Sequence, residues 1–160
     1  MNHRKRETVT VGLDELIPMI RESLSAGQTV ELFPRGSSMR PLLREGKDAV
    51  VLSSPNTTLH VGDILLVTFA DKYVLHRVIG MQRDGRYVLC GDNRFICEHG
   101  VSDKNVIAVV SGIKRDGREI RMDSFGYRAY VACITFRRRA RNLLRRIRRR
   151  ISQAFRHRVK

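Results

Sequence analysis

Tyr73-Val74-Leu75-His76-Arg77-Val78-Ile79-Gly80-Met81 and Tyr87-Val88-Leu89-Cys90 are two β-rich runs set either side of an Asp84-Gly85 turn. Aliphatic, aromatic and β-branched residues fill both runs, and Asp-Gly is the dipeptide that a tight hairpin turn favours. The stretch predicts an antiparallel hairpin. Upstream, the same pattern recurs at 29–33, 48–53 and 63–69; downstream, at 106–113 and 119–123. Turn clusters at Glu45-Gly46, Ser54-Pro55-Asn56 and Asp116-Gly117 separate them. Many short strands closed by tight turns predict a mainly β domain with curled, barrel-like sheets.

Helical spacing flanks this β region. Leu13, Leu16, Ile17, Ile20 and Leu24 recur by three and four, and Ala26-Gly27 supplies a stop, so a helix is expected over 12–26. Beyond about Tyr127, Phe136, Ala140, Leu143, Leu144, Ile147, Ile151 and Phe155 repeat at helical spacing with Arg in most positions between them. The expected organisation is a flexible 1–9, a domain over 10–125 and an Arg-rich amphipathic helix over 126–160.

The formal charge of +15 belongs to that last segment. Residues 137–160 hold eleven Arg and one Lys without a single acid, leaving 19 basic against 16 acidic residues elsewhere. At 42% hydrophobic and 29% charged, the chain can fill a core and is not disordered throughout. Cys90, Cys97 and Cys133 make an odd count, and Cys90, Cys97 and His99 match no common zinc spacing. Idle thiols in a reducing compartment are the expectation. No stretch reaches the roughly 18 apolar residues of a membrane span, and the basic, polar Met1–Arg6 is not followed by the apolar core of a secretory signal. A cytoplasmic chain, soluble or peripheral at the inner membrane face, is expected.

Gly36-Ser37-Ser38-Met39-Arg40-Pro41 follows directly on the first strand. A serine in such a turn offers a nucleophile together with its own amide as an oxyanion donor. Three further segments follow in order: Gly62-Asp63-Ile64, Leu75-His76-Arg77-Val78-Ile79-Gly80 and Gly91-Asp92-Asn93. The four together resemble the type I signal peptidases and their LexA-type relatives, over about Gly27 to Ile113. The resemblance implies Ser38 as nucleophile and His76 as general base, in the position where many relatives carry Lys and others His. Histidine suits the role at neutral pH, its unperturbed pKa being about 6.5 against about 10.4 for lysine.

A histidine base works with an acid that fixes its tautomer. In the His-type relatives an aspartate lies seven positions beyond the Gly of the last box, which falls on Glu98 here. Asp92 is the fallback and Asp103 a weaker candidate. Gly36 occupies the position where many relatives have a serine that helps the oxyanion hole, and Ser37 and Met39 flank the nucleophile. Met39 would line the cleft or pack in the core.

The implied reaction is endoproteolysis of an extended peptide with small side chains near the cut. It needs neither metal nor cofactor. Such substrates bind by strand addition. The competing reading is a catalytically silent peptide-binding module of the same fold. For the tail, the regular apolar stripe favours an anionic membrane surface through 136–160 over nucleic acid, which requires no stripe.

Overall fold

The computed structural model describes residues 13–55 and 58–158, with some side chains beyond Arg141 left out; the segment 1–9 expected to be flexible lies outside the described residues. The chain divides into two compact units, Met1–Glu119 and Ile120–Lys160.

The first unit begins with helix α1, Leu13–Ser25. Asp14 and Glu15 sit in its first turn, where carboxylates meet the positive end of the helix dipole. Ile17, Ile20 and Leu24 are buried, as the spacing predicts. The helix ends in a Schellman arrangement. Gly27, at φ 75°, donates its N–H to Leu24 O and Gln28 donates to Ser23 O. Only glycine takes this left-handed position without steric cost.

Seven strands run β1 Val30–Leu32, β2 Ala49–Ser53, β3 Ile64–Phe69, β4 Lys72–Met81, β5 Tyr87–Cys90, β6 Glu98–Val101 and β7 Val106–Arg115. An eighth, β8 Arg118–Arg121, pairs with β7. They form one sheet in the order β1-β2-β7-β3-β4-β5-β6. The expectation of curled, barrel-like sheets is corrected: this is a single antiparallel sheet, neither closed nor strongly curled, with β1 and β6 ending the ladder. Local turn signals specify hairpins, whereas closure depends on how the first and last strands meet. That is a long-range property.

The β4–β5 hairpin turns at Gln82–Arg86, with Gly85 at φ 81° and Gln82 N–H donating to Arg86 O at 2.7 Å. Leu65, Val67, Val78, Leu89, Val101 and Val106 form the buried cluster of the sheet. Asp48 lies fully buried and accepts from Arg44 and Arg115; Arg115 also donates to Leu42 O. This network fastens the 42–48 segment to β7, immediately after the loop that carries Ser38.

In the second unit, α2 spans Phe125–Arg158, 34 residues or about 51 Å of helix. Ser124 Oγ caps it by accepting from Tyr127 N–H at 3.3 Å. Tyr127 and Ile134 are buried; Phe125, Phe136 and Leu144 are exposed. Among the described residues no helix is long and apolar enough to cross a membrane. Leu143, Ile147, Ile151 and Phe155 of the expected stripe lie outside the described side chains.

Candidate active site

Strand register places the central pair. Leu65 opposes His76, Val78 opposes Leu89, and Leu89 opposes Glu98. Directly opposed residues project to the same side of a sheet, and so do residues two apart along a strand. His76, Val78, Leu89 and Glu98 therefore share one face, the face of the buried cluster. The pairing of Arg77 with Cys90 puts Gly91 next in line, opposite His76. With no side chain at 91, the imidazole has room to cross toward β6. His76 Nδ1 meets Glu98 Oε2 at 2.8 Å, with the two side chains 4% and 15% exposed.

Nδ1 is thus engaged, and Nε2 is not: among the described residues no hydrogen bond reaches it. Among the described residues no buried side-chain nitrogen or oxygen lacks a partner. Nε2 is accordingly the point at which this otherwise buried imidazole reaches the surface.

Gly91 also locates Ser38. A Cβ built on Gly91 would stand 2.6 Å from the Ser38 carbonyl oxygen, 2.8 Å from Arg94 Cγ and 3.0 Å from His76 Nε2. The Ser38 loop and the imidazole converge on one point. Asn93 holds the loop there, its N–H donating to Ser38 O at 2.8 Å and its side-chain amide to Ser37 O at 3.3 Å. On the other side, Met39, Leu42 and Leu43 are buried and anchor the turn. Ser38 is half-buried and Ser37 exposed. Among the described residues no hydrogen bond engages the Ser38 hydroxyl.

No family model, curated protein or solved structure matches the chain. Function must therefore be argued from the geometry.

Asp92 is not available to orient His76. Its carboxylate takes a fork from Arg77, Nε to Oδ1 at 2.8 Å and Nη2 to Oδ2 at 2.7 Å, with both side chains essentially inaccessible. Arg77 Nη1 also donates to Gly62 O at 2.7 Å. Gly36, at φ 91°, has its amide committed to Glu45 Oε1 at 2.8 Å and is not free to hold an oxyanion. Met39, at 4% exposure, packs in the core, one of the two places expected for it. Asp103 interacts with the Tyr87 hydroxyl, and burial together with that carboxylate raises the phenol's pKa.

Sequence reading gave no role to Arg77, Gly91 or Asn93. The structure makes them the connectors among the four segments: Arg77 ties Gly62 to Asp92, Asn93 ties the last segment to Ser38, and Gly91 admits both Ser38 and His76. The signal was their presence inside the quoted segments, but no residue type alone announces such a role. Among the described residues no cluster of His, Cys, Asp and Glu has the makings of a metal site.

Proposed function

We propose that this chain is a serine endopeptidase resembling the signal peptidases, with Ser38 as nucleophile, His76 as general base and Glu98 as the acid that positions it. The observation that carries the reading is the state of His76. One ring nitrogen is held by a carboxylate at 2.8 Å, and the other is left open beside the Ser38 loop. A carboxylate on Nδ1 keeps the proton there and leaves the Nε2 lone pair to receive one. Ser38 Oγ attacks the scissile carbonyl as Nε2 takes its proton. Nε2 returns that proton to the leaving amine, and water repeats the sequence to release the acyl group. Glu98 stabilises the imidazolium in each half-reaction. The Ser38 amide is the oxyanion donor, since Gly36 N–H is occupied.

β1 ends the ladder and runs into the Ser38 loop, so a peptide added along its free edge would lie in line with the nucleophile. Backbone pairing of that kind accepts many sequences, with small residues preferred where the chain passes Ser38. Helix α2, rich in Arg and exposing Phe136 and Leu144, suits a peripheral helix on an anionic surface, at the cytoplasmic leaflet in this reading.

One observation favours a silent peptide-binding module instead: among the described residues the Ser38 hydroxyl makes no hydrogen bond. Serine–histidine pairs often close only with substrate in place, and that weighs against the module. The deciding experiment compares wild type with Ser38→Ala on a diverse peptide pool containing anionic vesicles, reading cleavage by mass spectrometry. Cuts present in wild type and absent in the variant support the peptidase. Equal peptide retention by both folded proteins, with no cut, supports the module. Flotation of the vesicles with the full chain, lost on truncation before Phe136, tests the role of α2.

A further inference from the structure

Cys90 closes β5 at 0% exposure, and Cys97 stands immediately before β6 and is partly exposed. Val88 opposes His99 and Leu89 opposes Glu98, so the next step of the same register sets Cys90 opposite Cys97. Their sulfurs are 2.6 Å apart, close to the ~2.05 Å of a disulfide bond. Directly opposed residues of antiparallel strands have Cα atoms about 4.5 to 5.5 Å apart, inside the range that a disulfide spans. The odd cysteine count pointed to idle thiols because it treated all three alike, whereas two of them are juxtaposed by the β5–β6 ladder and the third, Cys133, is an exposed residue of α2.

We propose that Cys90 and Cys97 form a thiol pair built to close into a disulfide by exchange with a small disulfide such as glutathione disulfide. Exposure sets the order of events. The Cys97 thiolate attacks one sulfur of the oxidant, expelling the first glutathione thiolate and leaving a mixed disulfide. The Cys90 thiolate then attacks Cys97 Sγ, forming the internal bond and expelling the second. Two protein thiols are oxidised, one small disulfide is reduced to two thiols, and the two protein protons pass to the leaving thiolates or the buffer. Cys90 is shielded from solvent, so Cys97 is the sulfur it can reach.

The bond would staple the two ends of the 91–96 loop. That loop contains Asp92, held by Arg77, and Asn93, which holds the Ser38 carbonyl; Glu98 follows directly on Cys97. Closure would therefore restrain two of the connections that assemble the Ser38–His76 region. The inference stands on strand register and the sulfur contact and does not depend on the peptidase reading.

The test uses the full chain carrying Cys133→Ser, equilibrated with glutathione disulfide and then assayed for thiols in denaturant. Two thiols are expected to fall to none, with the chain lighter by two hydrogens. Trypsin cuts after Arg94, so the bond should appear as a two-chain peptide under non-reducing conditions, and Asn93 amide exchange should slow. A chain that keeps both thiols would overturn the proposal, as would one that accumulates glutathione on Cys97 without closing. A Cys97→Ser, Cys133→Ser chain should show no modification of the buried Cys90 while folded. Glutathione on Cys90 in that chain would refute the ordered exchange.

Discussion

Replacing Gly91 with alanine adds one methyl group where three groups already meet. Gly91 φ is not in the left-handed region, so alanine meets no backbone penalty and the effect is steric alone. The new Cβ would stand 2.6 Å from Ser38 O, 2.8 Å from Arg94 Cγ and 3.0 Å from His76 Nε2. Arg94 is exposed and can swing away at little cost. The other two cannot do so. Ser38 O is tied to Asn93 N–H at 2.8 Å on a loop anchored by buried Met39, Leu42 and Leu43, and His76 is held at 2.8 Å by Glu98. Ordinary contact needs roughly 3.5 Å, so Ser38 and the imidazole must separate by up to about 1 Å. Overpacking of this size costs about 1–3 kcal/mol of stability, and a misplacement of about 1 Å at reacting groups costs about 10²-fold in rate. The assay is Ser38-dependent cleavage, as kcat/KM, alongside urea unfolding. Gly36→Ala is the control, since Gly36 has open space around it but φ 91°; it carries backbone strain without a clash at the imidazole. A Gly91→Ala chain with wild-type kcat/KM and wild-type stability would refute the convergence of Ser38 and His76 on this point.

Glu98→Gln should lower kcat by about 10²–10⁴-fold while leaving peptide affinity near wild type, because it removes the charge that fixes the tautomer and supports the imidazolium; steady-state kinetics on one identified substrate checks this. Arg77→Met leaves the Asp92 carboxylate buried without its fork and should cost about 3–5 kcal/mol in urea unfolding, whereas the double change Arg77→Met with Asp92→Leu should recover much of that loss. Burial alone would raise the Asp48 pKa, but hydrogen bonds from Arg115 and Arg44 outweigh it and hold the carboxyl well below the usual carboxylate range. A carboxyl depressed in the folded state contributes stability above its unfolded pKa of about 4 and loses it as pH falls toward the folded value. The urea midpoint should therefore fall steadily below about pH 4, and Asp48→Asn should flatten that part of the profile.

The hairpin was legible because its signals are local: two β-rich runs and an Asp-Gly turn. Helix α1 was legible for the same reason, its apolar residues recurring at one period and Gly27 ending it. β6 was not. Glu98-His99-Gly100-Val101 has a mid-strand glycine and two polar residues, and only its pairing with β5 makes it a strand. The missing strand matters, since it supplies Glu98, which sequence reading could reach only by counting along a resemblance. The Arg77–Asp92 pair lies 15 residues apart in the chain, and no periodicity announces it. Hydrogen-bond chemistry made Asp92 a reasonable partner for His76. A fully buried guanidinium has the stronger claim, because an unpaired buried charge costs several kcal/mol and an imidazole can remain neutral.

That competition for carboxylates bears on function. The site contains two buried bases, His76 and Arg77, adjacent in β4 and pointing to opposite faces of the sheet, and each has taken one acid. Arg77 has spent all three of its bonded nitrogens on Asp92 and Gly62 O and is structurally saturated. His76 has spent one nitrogen and keeps the other open at the surface. A histidine retained only for packing would be expected to satisfy both nitrogens or to be replaced by an apolar residue, since its neighbours Leu65 and Val78 are aliphatic and fully buried. Leaving Nε2 open at that position, next to a serine whose carbonyl is clamped by Asn93, has no packing benefit. It is what a proton acceptor for Ser38 requires. A His76→Gln chain separates the two explanations: glutamine keeps a hydrogen-bonding group for Glu98 but cannot accept the Ser38 proton. Near wild-type stability with cleavage at the Ser38→Ala level would fit the catalytic account, whereas undiminished cleavage would end it.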